Sequence, residues 1–192
     1  MSNKTNLTEL LDTIHDDIGG DDINVGELVT AINSRGFGPF LLGASMITIL
    51  PTGAIPGVPA ITGLIIVFIA GQMLMGRAKP WLPKRIKNLS FKKDKFEKGR
   101  DIVRPYTKKI DKFVKPRIPF ITNEVTERLI AVICILLAAS MPIVGLVPFA
   151  AMVPALAIGI MGLGLSNYDG ALILGGVVFA IAGISALAMF VL

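Results

Sequence analysis

The sequence lacks charge over two long stretches, and this absence bounds the class of protein. Residues 38–76 and 129–168 contain no Asp, Glu, Lys or Arg. Of the 192 residues, 53% are hydrophobic and 17% are charged, and the mean hydropathy is +0.68. Soluble domains carry about 25% charged residues. The composition excludes an ordinary soluble domain and predicts an all-α integral membrane protein.

Cysteine and histidine are also scarce. Cys134 is the single cysteine, so an intrachain disulfide is excluded, and its apolar neighbours predict that it packs as a small hydrophobe. His15 is the single histidine and lies in an acidic segment whose spacing does not fit a calcium loop. We therefore expect no metal and no cofactor. Residues 1–36 also lack the basic start and apolar core of a signal peptide.

The charge that is present is segregated along the chain. Residues 1–37 hold seven acidic and two basic residues, whereas residues 77–128 hold seventeen basic and six acidic ones. This pattern predicts four segments: acidic amphipathic helices at 1–37, a first membrane hairpin at 38–76, a basic cytoplasmic belt at 77–128, and a second hairpin with a C-terminal transmembrane helix at 129–192.

Each uncharged stretch is interrupted by prolines, which remove backbone donors and break helices. The predicted hinge residues are Pro51, Pro56, Gly57 and Pro59 in the first hairpin, and Pro142, Pro148 and Pro154 in the second. Their order predicts a weak internal repeat of two proline-broken hairpins that face each other. Two positions for the bends stay open: bends covered by protein within the membrane, or loops at the far membrane surface.

The last element, residues 171–192, is an uncharged run of 22 residues, long enough to cross a bilayer as a helix. Small residues recur along it at spacings near three and four. Packing within one chain and formation of a homodimer would produce the same pattern, so both stay open.

The polar segments predict amphipathic surface helices. Asn6 and Asn24 each precede a Glu by three residues, which indicates helix starts, and apolar residues follow at helical spacing. Residues 91–114 combine aromatic and apolar positions with many lysines, which is typical of contact with anionic membrane lipids. We expect membrane lipids and no nucleic acid as partners. The belt is predicted to be cytoplasmic and Leu192 to lie outside.

The chain resembles the bacterial ExoD family of exopolysaccharide-synthesis membrane proteins. The resemblance is carried by GQMLMGR at residues 71–77, PWLP at 80–83, KPR at 115–117, the two proline bends, and Asp169-Gly170. Residues 149–152 are apolar here, whereas family members often have a polar residue in this loop. The resemblance implies a role at the bacterial inner membrane in exopolysaccharide production.

No positioned acid, base, nucleophile or metal is visible within the uncharged stretches, so we expect a protein that is not an enzyme. The candidate ligand-binding residues are Arg77 and Asp169, which also fall in the family-like motifs, together with Arg128, Arg35 and Gln72. Arginine can clamp a lipid or sugar phosphate, although interfacial anchoring or an Arg77–Asp169 pair would also explain these residues. Two roles stay open: translocation of an envelope lipid or polysaccharide precursor, and a non-transporting scaffold of the exopolysaccharide machinery.

Overall fold

The computed structural model describes residues 22–24, 36–77, 79–81, 83, 90–92, 124–147 and 149–191. The chain divides into two compact units: Met1–Ser34 with Trp81–Lys115, here called the polar unit, and Arg35–Pro80 with Pro116–Leu192, here called the helical unit. Outside the described residues lie the predicted amphipathic helices of residues 7–14 and 25–35, with the candidate residue Arg35, most of the basic stretch, and Pro148.

In the polar unit, the described residues form one short antiparallel strand pair. Strand β1 (Asp22–Asn24) pairs with β2 (Ser90–Lys92), and Ile23 lies opposite Phe91. Only helices are predicted from the sequence in these segments, so the first residues of the predicted basic helix are corrected to strand. The short pair joins chain segments that are far apart in sequence, and no local pattern indicates such pairing.

In the helical unit, the described residues form five α-helices, which confirms the all-helical prediction for this unit. They are α1 (Gly38–Ile49), α2 (Val58–Leu74), α3 (Glu124–Val144), α4 (Met152–Asn167) and α5 (Gly170–Val191), with a 3-10 turn at Pro51–Ala54. Among the described residues, α3 is the one helix that is long and apolar enough to cross a membrane, while α5 is apolar over Gly170–Ala186. The predicted C-terminal helix is therefore present, and its crossing of the membrane stays a prediction.

Prolines and glycines shape the first bend. Pro51 begins the 3-10 turn, and Gly57, with φ +94°, turns the chain into α2. Pro59 lies in the first turn of α2, where its missing N–H would have no helical partner in any case. Pro154 lies in the first turn of α4 for the same reason.

The predicted hinge at Pro142 is corrected by the structure. Helix α3 continues through Pro142 to Val144, so the second bend begins at Gly145. Pro142 has no N–H to offer the carbonyl of Ala138 four residues earlier. The neighbouring helix approaches this carbonyl instead: a methyl group on Gly63 would lie 2.7 Å from the Ala138 oxygen. The Gly63 hydrogen that a methyl group would replace points toward this carbonyl, and such a Cα–H···O contact offsets part of the lost hydrogen bond.

The two hairpins pack side by side with their bends at the same end. Helix α2 packs along α3, α1 along α4, and α5 along α4. At the bend end, Gly145 contacts Pro59; at the opposite end, called the open end, Gly76 contacts Arg128 and Gly38 contacts Ser166. The predicted proximity of the two bends is therefore observed.

Close approach of helix backbones holds this array together. A methyl group on Gly162 of α4 would lie 2.9 Å from the backbone nitrogen of Leu42 in α1. On α5, Gly176 and Gly183 face α4, whereas Gly175 has open space around it. Small residues let helices approach in this way. Part of the small-residue pattern on α5 is thus used for packing within the chain.

Candidate functional site at the open end

Helix α2 ends in a defined hydrogen-bonded turn at the open end. Gly76 adopts the left-handed conformation, with φ +74°. The Gly76 N–H donates to the Met73 carbonyl at 3.0 Å, and the Arg77 N–H donates to the Gln72 carbonyl at 3.2 Å. This is the Schellman arrangement, which satisfies the last carbonyls of a helix. It fixes the backbone of Arg77 directly beyond the helix and leaves its side chain exposed.

Arg128 lies beside the same turn. A methyl group on Gly76 would lie 3.2 Å from an Arg128 guanidinium nitrogen, so glycine provides both the positive φ and the room for the arginine. A cation next to the C-terminus of α2 is favoured by the helix dipole. The acidic residues Glu124 and Glu127 occupy the first turn of α3, where negative charge is likewise favoured.

The predicted candidate Gln72 is buried beneath this turn, with 4% of its surface exposed. Its side-chain nitrogen donates to the Phe68 carbonyl at 3.3 Å. The structure thus brings Gln72, Arg77 and Arg128 together at the α2–α3 corner. The two arginines are exposed to solvent, while Gln72 faces the interior.

A second corner joins α4 to α5. Tyr168 has φ +53°, its N–H donates to the Leu165 carbonyl, and the Asp169 N–H donates to the Gly164 carbonyl at 2.9 Å. Helix α4 therefore ends in the same Schellman arrangement as α2. A left-handed conformation is unusual for a residue other than glycine and costs about 1–2 kcal/mol.

Asp169 has a structural task at this corner. Its Oδ1 accepts hydrogen bonds from the backbone N–H groups of Ala171 at 3.0 Å and Leu172 at 3.3 Å, and the residue is only 2% exposed. This is an N-cap at the start of α5. This capping role was not predicted for Asp169, although an Asp directly before an apolar run is a helix-start signal. Among the described residues, no ion pair between Asp169 and Arg77 is observed.

The polar groups within the helices are mostly satisfied by hydrogen bonds to nearby backbone carbonyls. Hydroxyls of Ser45, Thr62 and Ser140 donate to backbone carbonyls three or four residues earlier. Thr48 differs, because its hydroxyl is fully buried without a hydrogen-bond partner. Within the described residues, no group of three or more His, Cys, Asp or Glu side chains could hold a metal ion.

Comparison with known proteins agrees with the resemblance seen in the sequence. The family described as "Exopolysaccharide synthesis, ExoD" matches residues 7–189. The chain belongs to the ExoD family. It is 31% identical to Protein ExoD of Rhizobium meliloti (strain 1021) over 187 residues, covering 92% of this chain and 73% of that protein.

A second relative of this ExoD chain is an uncharacterized protein of Synechocystis sp. (strain ATCC 27184 / PCC 6803 / Kazusa). It is 27% identical over 175 residues, covering 90% of this chain and 81% of that protein. No solved structure matches the chain at a significant level. The family is linked to exopolysaccharide synthesis.

Proposed function

We propose that this chain is a multi-pass protein of the bacterial inner membrane that helps an envelope lipid or polysaccharide precursor to cross the bilayer during exopolysaccharide synthesis. The observation that carries the membrane assignment is the outer surface of the helical unit. Large apolar side chains point outward along α2, α3 and α5, among them Leu64, Leu136 and Ile181, each more than 60% exposed. A helix at a water-exposed surface has a polar outer face instead.

The paired hairpins support a repeat of the kind found in transporters. In the repeat, α1 corresponds to α3 and α2 corresponds to α4. The contact between α1 and α4 then corresponds to the contact between α3 and α2, and the second helix of each hairpin ends in a Schellman turn. The register has diverged, because seventeen residues separate Pro59 from Gly76 but fourteen separate Pro154 from Tyr168. We therefore propose a repeat that is retained in topology, with a difference of about one helical turn in length.

The two exposed arginines of the α2–α3 corner are the proposed contact for the precursor. Guanidinium groups bind phosphate oxygens through paired hydrogen bonds, and envelope precursors carried on lipids are anionic at their phosphates. Asp169 has its carboxylate engaged in the helix cap, so its contribution to the site is to hold the α4–α5 corner. Arg77 and Arg128 would select an anionic headgroup at the cytoplasmic side.

The polar unit favours the second role, a scaffold that recruits the exopolysaccharide machinery. Thirteen of the nineteen basic residues lie between Trp81 and Lys115, within the polar unit. A separate unit with this charge is suited to bind an anionic lipid surface or an acidic partner protein.

Reconstitution separates these roles. The protein is placed in liposomes that contain fluorescent lipids or labelled polyprenyl-phosphate sugars, and transfer between leaflets is compared with empty liposomes. Translocation predicts faster transfer, and Arg77→Gln with Arg128→Gln should slow transfer of the anionic probe more than that of a zwitterionic one. Equal rates with and without protein would reject translocation. A scaffold would then be tested by exopolysaccharide output after Lys→Gln changes confined to residues 84–115.

Topology is tested in intact cells. A cysteine replacing Lys93 in the Cys134→Ser chain should resist a membrane-impermeant thiol reagent until the cells are opened, because the basic belt is proposed to be cytoplasmic. Labelling from outside would contradict the proposed orientation.

A further inference from the structure

The length of helix α5, which runs beside the two bends, gives an estimate of their depth in the membrane. Helix α5 starts at the open end with Gly170 and runs along α4, where Gly183 contacts Val153 near the first residue of α4. Thirteen residues from Gly170 to Gly183 correspond to about 20 Å of helix. On the other side of the unit, seventeen residues separate Pro59 from Gly76 in α2 and Arg128 from Gly145 in α3, which corresponds to about 25 Å. The bend end therefore lies about 20–25 Å from the open end.

Helix α5 does not stop at that level. It continues to Val191, and these eight further residues add about 12 Å. They carry no charge, and Ile184 and Met189 are exposed, with Met189 at 87%. If the bends lay in water at the far surface, this apolar end of α5 would project into water as well. A hydrocarbon core of about 30 Å instead accommodates the whole of α5.

The surface of the bend end suits the same environment. Its exposed large side chains are all apolar: Leu50, Ile55, Ile143, Leu146, Val147 and Phe149. Backbone N–H groups in the second bend are paired in successive tight turns. The N–H groups of Leu146, Ala150 and Met152 donate to the carbonyls of Ile143, Val147 and Phe149, respectively. In the first bend, Pro51 and Pro56 have no backbone N–H that would need a partner. Few donors thus need water, which is the condition for irregular backbone within a bilayer.

We propose that the bend end and the protruding end of α5 form a recess in the far leaflet that is filled by lipid acyl chains. The bends form its floor, about 5–10 Å short of the far interface, and residues 184–191 form its wall. The partner of this surface is lipid hydrocarbon. The inference rests on the proposed membrane location but not on translocation, and it makes the hairpins enter and leave the membrane on one side.

The test uses nanodiscs, because both membrane faces are then open to reagent. Leu146→Cys changes a side chain that is 84% exposed and so should not disturb folding. Lys79→Cys, at an exposed position beyond α2, is the matched control at the open end. The unmodified chain, in which Cys134 is fully buried, gives the background rate for a charged, water-soluble thiol reagent.

In lipids with long acyl chains, Leu146→Cys should react at least tenfold more slowly than Lys79→Cys, and its rate should rise as the acyl chains are shortened. Val147→Cys should behave in the same way. Rates equal to the control in long-chain lipids would place the bends in water and overturn the proposal. Protection in the shortest-chain lipids as well would contradict the stated depth. Both outcomes are independent of whether the protein moves lipids, so they are distinguishable from failure of the translocation assay.

Discussion

Gly63 in α2 provides the sharpest test of how the helical unit is held together. The substitution Gly63→Ala adds a methyl group 2.7 Å from the Ala138 carbonyl oxygen and 3.4 Å from the Met141 Cβ. The oxygen belongs to helix backbone and cannot rotate away, so α2 and α3 must separate. Overpacking of this kind costs about 1–3 kcal/mol.

The matched control is Gly71→Ala in the same helix. Nothing lies within 4 Å of a methyl group at Gly71. Both substitutions gain the helix propensity of alanine over glycine, about 1 kcal/mol. We therefore expect Gly71→Ala to be more stable than the parent, and Gly63→Ala to fall below Gly71→Ala by the overpacking cost of about 1–3 kcal/mol.

The measurement is reversible unfolding in mixed detergent micelles, followed by far-ultraviolet circular dichroism as a denaturing detergent is added. Gly63→Ala is also measured in the Pro142→Ala background. Pro142→Ala restores an N–H donor for the Ala138 carbonyl, so Gly63→Ala should destabilise that variant less than it destabilises the parent chain. If Gly63→Ala is as stable as Gly71→Ala, the α2–α3 interface is looser than described and the explanation for the tolerated Pro142 fails.

Three further substitutions are read in the same assay. Asp169→Ala should lose about 0.5–2 kcal/mol because the cap on Ala171 and Leu172 disappears, whereas Asp169→Asn keeps the cap, and equal losses would show that the charge matters instead. Tyr168→Gly should gain up to about 1–2 kcal/mol by relieving the left-handed conformation, and destabilisation would point to contacts of the ring. Thr48→Val should gain about 1–3 kcal/mol by removing a buried hydroxyl without a partner, and a loss would reveal a partner.

The sequence predicted the elements of the helical unit because the determinants are local. Uncharged runs interrupted by proline and glycine define two hairpins, and residues 168–169 separate α4 from α5. The position of Arg77 directly after the first hairpin was also predicted, because the uncharged run ends at residue 76. Which members of the small-residue pattern on α5 face α4 was not, because that depends on the partner helix.

The incorrect hinge at Pro142 has a tertiary cause. Proline is expected to break a helix when the helix is considered alone, because one carbonyl loses its N–H donor. Here a Cα–H of Gly63, more than seventy residues earlier in the chain, approaches that carbonyl and offsets part of the loss. Tyr168 is similar. The left-handed position would be expected at Asn167, which tolerates it better, yet the hydrogen bonds that end α4 place it one residue later.

The packing of the helical unit also bears on the route that a precursor would take. Backbone contacts through Gly63 and Gly162 join α2 to α3 and α1 to α4 without intervening side chains. Opening either interface would forfeit these contacts, and the described residues include no charged group between the helices to stabilise a hydrated path. A headgroup that crosses would therefore move along the lipid-facing surface, from the arginines of the α2–α3 corner toward the recess above the bends.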